Sequence, residues 1–231
     1  MRLSIVIPAY NEARFIGTLL ERIKAVDLSP LGVEKEIIVV DDGSADATAA
    51  IVEAARGARL IRMERNGGKG RAVRAGIAAA SGDLLIIQDA DLEYDPRDYV
   101  PMLRALLDAA AEVDVVYGSR YLGRGRHKNQ SLAAYLGGRS LSAIAWAFTG
   151  RFLTDTVTAY KLFHRVDIAS LPLETSGFEL DHEITARLLA RGKTIVEVPI
   201  SYAPRSREEG KKIGARDWLR AVRTFRAYRK G

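Results

Sequence analysis

The chain has 231 residues, 48% hydrophobic and 28% charged, which suits one α/β domain, or a domain with a small C-terminal addition. Cysteine is absent, which excludes disulfides, thiol catalysis and Cys-ligated zinc and fits a reducing compartment. The net charge of +6 is uneven: ten basic and three acidic residues lie from Arg205 to Gly231, against 25 basic and 26 acidic elsewhere. A near-neutral body with a basic tail points to phosphate ligands, an anionic membrane surface or nucleic acid.

The opening MRLSIVIPAYNE has too short an apolar core for a signal peptide and reads as a first strand over 3–7. Helical spacing follows over 11–26 through Ile16, Leu19, Leu20 and Ile23. EIIVV at 36–40 is a second buried strand, 45–55 an Ala-rich helix, 59–63 a short strand and 70–80 a helix. Residues 84–88 form a strand, 98–110 a helix and 113–117 a strand. Apolar strands alternating with helices mean a mostly parallel sheet covered on both faces. Beyond residue 121 the reading gives a loop at 123–130, helices at 131–150 and 181–191, and strands at 158–163 and 194–200. Gly192 fits a C-cap, and Pro199 places the last strand at an edge. No apolar run approaches the roughly 18 residues of a membrane span; the best, 141–148, is short and flanked by Arg139 and Arg151.

In such sheets chemistry sits at the carboxyl ends of the strands. Those ends carry Pro8-Ala9-Tyr10-Asn11-Glu12, Asp41-Asp42-Gly43-Ser44, Gln88-Asp89-Ala90-Asp91 and Tyr117-Gly118-Ser119-Arg120. Asp89 and Asp91, two apart at a strand end, can converge on one hard divalent cation, Mg²⁺ or Mn²⁺. The alternative is a solvated turn with a helix cap, which suits Asp95-Pro96 better, while Glu93 stands between the two cases. Asp41 can accept hydrogen bonds from a nucleobase or a ribose, with Gly43 making the bend and Ser44 capping the next helix. Asn66-Gly67-Gly68-Lys69-Gly70 meets neither the Walker A pattern nor the dinucleotide fingerprint, and reads equally as a turn before a helix. Arg120, Arg139, Arg205, Lys211 and Lys212 follow the sheet ends and could meet phosphates. His127, His164 and His182 show no metal spacing.

Taken in order, IVIPAYNE, VDDGS, Lys69-Gly70, Asp89-Ala90-Asp91 and Gly118-Ser119-Arg120 resemble the inverting family-two glycosyltransferases of the GT-A fold. TDTVTAYKLF, GFELDHEI and VEVPISYAPRSREEGKKI narrow the resemblance to the polyprenyl-phosphate hexose synthases, the dolichyl-phosphate mannose and glucose synthase group. The resemblance implies a nucleotide-sugar donor, UDP- or GDP-linked, and a polyprenyl-phosphate acceptor on the cytoplasmic face of the membrane. It implies that Pro8, Tyr10, Asn11, Glu12, Asp41, Asp42 and Lys69 belong to the nucleotide site. Asp89 and Asp91 match the metal ligands, with Glu93 at the position of a third. Arg120 and Arg139 match positions offered to the acceptor phosphate, and Arg205 and Lys211 a basic loop over the diphosphate. Many members carry C-terminal membrane helices, and this chain has none.

The chain thus divides into a catalytic domain over 1–213 and a basic helix over 214–231. In that helix Trp218, Leu219, Val222 and Phe225 share a helical spacing among Arg220, Arg223, Arg229 and Lys230. Two readings are open: a helix lying on an anionic bilayer, and one docked on the domain with a solvated basic face. The acceptor decides whether a base is required. A phosphate monoester is already ionised near neutral pH, whereas a sugar hydroxyl needs a general base. Asp181 is the candidate base, its alternative role being a helix cap. A nucleotide-sugar-binding module without catalysis is a further reading, which intact Asp89, Asp91 and Arg120 oppose. The tail lacks base-reading architecture, so specific nucleic-acid binding is not expected.

Overall fold

The computed structural model describes residues 1–109, 112–123, 126–127, 130–204 and 215–228, with side chains in the last stretch from Trp218 onward. Arg205, Lys211 and Lys212 lie outside the described residues, as do Arg229 and Lys230.

The apolar runs of the N-terminal half become β1 (Arg2–Ala9), β2 (Glu34–Asp41), β3 (Ala58–Arg62) and β4 (Leu84–Ile87). Helices α1 (Ile16–Ala25), α2 (Thr48–Ala54) and α3 (Lys69–Ala79) link them. A 3₁₀ turn (Pro96–Asp98) leads into α4 (Tyr99–Leu107), followed by β5 (Val115–Ser119) and α5 (Leu132–Thr149). Then come β6 (Lys161–His164), α6 (Arg165–Ala169), α7 (Leu180–Ala190), β7 (Ile195–Pro199) and α8 (Ala215–Tyr228).

The seven strands form one sheet in the order β3-β2-β1-β4-β6-β5-β7. All neighbours are parallel except β6, which runs against both β4 and β5. The expected mostly parallel sheet is therefore present, with one reversed strand wedged into it. That reversal has a geometric result: Lys161, at the start of β6, lies opposite Tyr117 near the carboxyl end of β5. Residues just before β6 thus reach the sheet edge where the other strands end. Pro199 closes β7, the edge strand, where its missing N–H leaves no ladder bond unmade.

Alternating strand residues divide the core between the two faces. Leu3, Ile5 and Ile7 pack with Ile16, Leu19 and Leu20 of α1 and Tyr99, Met102 and Leu103 of α4. Val6, Ile38 and Val40 pack on the other face with Ala72, Val73 and Ile77 of α3 and Leu180, Ile184 and Leu188 of α7. A smaller cluster, Ala145, Ala186 and Phe225, joins α5, α7 and α8.

One expectation changes, and one open choice is decided. The helix read from residue 11 begins at Ile16, because Asn11 takes a left-handed φ of 55° and residues 11–13 bond across to the loop after β2. The C-terminal helix is docked, not laid apolar face outward. Ala221 and Phe225 are fully buried and Thr224 nearly so, while Leu219, counted in the apolar stripe, is 52% exposed. The Trp218 indole donates to Ser140 Oγ of α5 at 2.9 Å. Among the described residues no helix is long and apolar enough to cross a membrane.

Candidate active site

Parallel register aligns the strand ends: Ala9 lies opposite Asp41, and Val6 opposite Ile87, two residues before Asp89. β1 connects to β2 on one side while β4 enters on the other, so the topological switch point lies between β1 and β4, where open α/β sheets bind ligands.

On the β1–β2 side the two loops are laced together. Asn11 N–H donates to Ser44 Oγ (2.9 Å), Ala45 N–H to Asn11 Oδ1 (2.9 Å) and Glu12 N–H to Thr48 Oγ1 (2.9 Å). Ser44 is therefore a loop tie and not the expected cap of α2, which starts four residues later at Thr48. Asp41 is buried and accepts from Ser44 N–H at 3.2 Å. Tyr10 is 37% exposed at the rim, and Pro8 is half-buried on β1 opposite Val40. Asp42 is also buried, but its two oxygens accept the N–H groups of Gly67 and Gly68 at 2.9 and 2.7 Å. Its carboxylate shapes the glycine loop, a role that sequence spacing did not suggest.

That loop delivers Lys69. Gly70 N–H donates to Ser176 O at 2.7 Å, and a Cβ on Gly68 or Gly70 would collide with the backbone of 175–176. Only glycine lets the start of α3 approach the segment before α7 so closely. The Lys69 ammonium then sits 2.8 Å from Asp89 Oδ1 and 3.1 Å from Asp181 Oδ2. The second oxygen of Asp181 pairs with Lys161 Nζ at 3.0 Å, and Lys161 also donates to Thr158 O. The four charges form the chain Asp89–Lys69–Asp181–Lys161, with Lys161 wholly buried and Asp181 4% exposed.

Charge pairing in a dry site governs the proton affinities. Burial alone would raise the Asp181 carboxyl, but Lys161 and Lys69 outweigh it and hold it near 2. Burial likewise opposes the charge on Lys69, and attraction to Asp181 and Asp89 overcomes it, so its pKa is raised. In Lys161 burial prevails and the pKa is lowered. Asp181 lies in the first turn of α7 without capping it, and a carboxyl held near 2 is a poor proton acceptor at neutral pH.

Asp89 and Asp91 both reach the sheet edge, braced from below. Tyr99 and Tyr160 each donate a hydroxyl to Gln88 Oε1 at 2.5 Å, and the Gln88 amide donates to Asp89 O at 2.9 Å. Asp91 Oδ1 accepts from Glu93 N–H at 3.1 Å. Glu93, expected as a third metal ligand, accepts from Tyr202 OH at 2.8 Å. Among the described residues no three carboxylates or imidazoles are gathered to hold a metal. Asp89 and Asp91 are two carboxylates, hard oxygen donors of the kind Mg²⁺ or Mn²⁺ takes. The Lys69 ammonium against Asp89 shows that this carboxylate takes a cation. Asp95 is a turn residue, as expected: its side chain accepts from Arg97 N–H at the start of the 3₁₀ turn.

Arg120 departs from expectation. Its guanidinium forks onto Asp155, Nε to Oδ2 at 2.6 Å and Nη2 to Oδ1 at 2.7 Å, and it is 8% exposed. Tyr121 and Tyr202 lie against it, with ring centroids 5.4 and 5.1 Å away. A buried guanidinium requires a buried carboxylate, so Arg120 organises this end of the site instead of facing an acceptor. Arg139 of α5 is half-buried nearer the surface, donating to Thr154 O at 2.7 Å with its guanidinium 5.9 Å from the Tyr121 ring centre. Glu197 of β7 fixes the segment that carries Asp155, accepting from Thr154 N–H (2.7 Å), Thr154 Oγ1 (2.8 Å) and Asp155 N–H (2.9 Å).

The mostly parallel seven-stranded sheet, with helices on both faces, is that of the class of proteins with the GT-A fold. Glucosyl-3-phosphoglycerate synthase from Mycobacterium tuberculosis, solved with UDP, superposes with a TM-score of 0.74 over 98% of this chain and 79% of that one, at 24% identity. The same synthase solved with Mn²⁺, UDP and glucosyl-3-phosphoglycerate gives a TM-score of 0.66 and 25% identity over 90% of this chain and 74% of that one. The family model for glycosyl transferase family 2 matches residues 4–171, and the chain belongs to that family. A dolichol-phosphate mannosyltransferase from Pyrococcus furiosus is 31% identical over 226 residues, 93% of this chain and 60% of that protein. A dodecaprenyl-phosphate galacturonate synthase from Rhizobium johnstonii is 37% identical over 127 residues, 52% of this chain and 36% of that protein. The chain thus spans about three fifths of the length of the first relative and about a third of the second.

Proposed function

We propose that the chain transfers a hexose from a UDP- or GDP-sugar to a polyprenyl phosphate, with inversion. The observation that carries this reading is Asp181. The carboxylate placed to act as a base is held near 2 between two lysines. A site so furnished suits an acceptor that arrives already ionised, as a phosphate monoester does with a second pKa of about 6. The names of two relatives, a dolichol-phosphate mannosyltransferase and a dodecaprenyl-phosphate galacturonate synthase, agree with such an acceptor.

In this mechanism the laced loops hold the nucleoside: Asp41 accepts its hydrogen bonds while Pro8, Tyr10, Asn11 and Glu12 form the rim. Lys69 lies where a diphosphate would meet the strand ends and offsets its charge, with Asp181 and Lys161 fixing its position. Asp89 and Asp91 would hold Mg²⁺ or Mn²⁺, which supplies Lewis-acid neutralisation of the leaving diphosphate. An acceptor phosphate oxygen forms the new bond to the anomeric carbon as the bond to the diphosphate breaks on the opposite face, which inverts the centre. The buried Arg120–Asp155 pair shapes the acceptor end, and Arg139 is the cation nearest to meet the acceptor. Arg205 and Lys211 would add to the charge around the diphosphate. On this reading the reaction runs on the cytoplasmic side of a membrane.

The test is transfer from UDP-glucose and GDP-mannose to a short-chain, water-soluble polyprenyl phosphate, with Asp181→Asn in parallel. Product with the native chain, made without a general base, supports the reading. Transfer only to a sugar or glyceryl hydroxyl, with turnover lowered about 10³-fold in Asp181→Asn at unchanged substrate binding, would overturn it.

A further inference from the structure

Glu183 is the acidic residue of α7 with no part in the proposed transfer. It is wholly buried, two residues past Asp181. A carboxylate taken out of water has to be met by donors, and most of the donors here come from one short stretch ahead of α7. The Glu174 N–H donates to Glu183 Oε1 at 3.0 Å, and Thr175 donates its N–H at 2.9 Å and its hydroxyl at 2.6 Å to Oε2. Glu174, Ser176 and Phe178 are exposed, so a buried charge fastens a surface connection. Such connections are ordinarily the looser parts of a domain. The reason lies on the other side of the stretch. Residues 175–176 are the backbone against which Gly68 and Gly70 close, and Arg74 of α3 donates to Thr175 O. Helix α7 therefore holds Lys69 twice. Asp181 meets its ammonium, and Glu183 fixes the backbone on which its loop rests.

Helix α8 closes this arrangement from outside. Arg187, one turn on from Glu183, donates from Nε to Glu183 Oε1 at 2.8 Å and from Nη2 to Glu174 Oε1 at 3.2 Å. Its guanidinium lies 4.1 Å from the centre of the Tyr228 ring, and the Tyr228 hydroxyl donates to Glu174 Oε2 at 3.0 Å. Glu183, Arg187, Tyr228 and Glu174 thus form a closed ring, and the end of α8 supplies one member of it. One turn earlier Phe225 lies on His182, the residue between Asp181 and Glu183, with ring centroids 5.2 Å apart. Glu183 and Arg187 are buried, so neither can leave the ring without stranding a charge. Glu174 and Tyr228 are the members nearer water, and there α8 joins. A displacement of α8 would release Glu174 and Arg187 first, then the 174–176 stretch, and then the loop that carries Lys69.

We propose that Glu183 is a positioning residue for Lys69 and that α8, through Tyr228, sets how firmly the site grips a nucleoside diphosphate. The consequence for the diphosphate rests on the reading that Lys69 meets it; the grip on Lys69 itself does not. On that reading the base and ribose lie at the laced loops after β1 and β2, away from the ring. A nucleoside monophosphate, which lacks the outer phosphate, is then largely indifferent to α8. The C-terminal helix acts on the donor site without touching the ligand.

The experiment pairs acetic anhydride labelling of Lys69, read by mass spectrometry against Lys24 of α1, with calorimetry of UDP, GDP, UMP and GMP at one fixed Mn²⁺ concentration. The chains are the native one, Tyr228→Ala, Glu183→Gln, Lys69→Met and Lys69→Met/Tyr228→Ala. Arg226→Ala, exposed on α8 and outside the ring, is the control and should match the native chain. Tyr228→Ala should label Lys69 about threefold faster or more and weaken the better-bound diphosphate about threefold to tenfold, as residues coupled through a packed network do. The matching monophosphate should keep its native affinity. A merely structural role would lower the melting temperature and both affinities together. Glu183→Gln should show the same split more strongly; where it fails to fold, Tyr228→Ala carries the test. In the Lys69→Met background Tyr228→Ala should cost no further diphosphate affinity. Unchanged labelling in Tyr228→Ala overturns the inference, as do equal losses for monophosphate and diphosphate, or a full loss in the Lys69→Met background. Faster labelling with native diphosphate affinity in Lys69→Met means that Lys69 does not meet the diphosphate, while the grip of Glu183 and α8 on it stands. If the native chain binds no nucleotide, the reading of the site fails and labelling alone decides the grip.

Discussion

Replacing Asp181 by Asn removes one negative charge from the chain Asp89–Lys69–Asp181–Lys161 without changing the size of the side chain. The loss can be bounded from the structure. Holding the carboxyl near 2 instead of 3.8 is worth about 2 kcal/mol of native-state stability. That figure counts the carboxylate alone. Removing it also leaves Lys161, fully buried and 3.0 Å away, without its carboxylate partner, and stripping one partner from a buried pair costs about 3–5 kcal/mol. The expected result is a fall of about 3–5 kcal/mol in urea unfolding at neutral pH, or roughly 6–20 °C in melting temperature for a domain of this size. The pH dependence has a definite sign. In the unfolded chain Asp181 takes up its proton near pH 4 and in the folded chain near 2, so stability held above pH 4 drains away as the pH falls through that interval. Asp181→Asn should lack that part of the acid dependence. Adding Lys161→Met removes the stranded cation, so the second substitution should cost at least about 1 kcal/mol less than it does in the native background. An Asn variant within about 1 kcal/mol of the parent, with its acid limb intact, would refute a buried carboxylate held between two lysines.

Three further outcomes follow from the same geometry. Lys69→Met should let Mn²⁺ alone bind about threefold to tenfold more tightly, because the ammonium 2.8 Å from Asp89 no longer competes; free Mn²⁺ counted by electron paramagnetic resonance checks this, and unchanged or weaker binding counts against it. Gly70→Ala should cost about 1–3 kcal/mol in urea unfolding and loosen Lys69, since the new methyl group meets the backbone of 175–176; a variant as stable as the parent would show that the loop is not clamped there. Asp155→Asn should cost about 3–5 kcal/mol by breaking the fork to Arg120, while nucleotide affinity by calorimetry stays at the native value because the proposed function puts the pair at the acceptor end.

Much of the first 120 residues was legible because buried parallel strands are continuous apolar runs that end abruptly in polar clusters. Asp89 and Asp91 stood out for that reason, and Asp95 could be set apart by the proline after it. The helix start was misplaced because apolar spacing cannot report the left-handed Asn11, which unwinds the first turn into a loop bonded to 44–48. The direction of β6 was invisible, since nothing in residues 121–160 fixes how the chain returns to the sheet. Lys161 did carry a signal: a lysine inside TAYKLF is an unlikely strand residue unless something buried pairs with it. Arg120 had the residue type for an acceptor contact, but its partner Asp155 lies 35 residues away and only packing reveals it.

The reversed strand bears on how this protein could be re-engineered. In a uniformly parallel sheet, specificity would be altered by exchanging loops downstream of strands. On the proposed reading the acceptor side is built from the residues upstream of β6: Thr154, Asp155 and Thr158 arrive at the site before the strand begins. One end of that stretch is fastened to Glu197 on β7 and the other to the sheet through Lys161. A graft from another transferase must therefore carry residues 154–161 and position 197 as one cassette of fixed length. A one-residue insertion inside it would turn Asp155 away from Arg120 and leave a guanidinium buried with nothing to face.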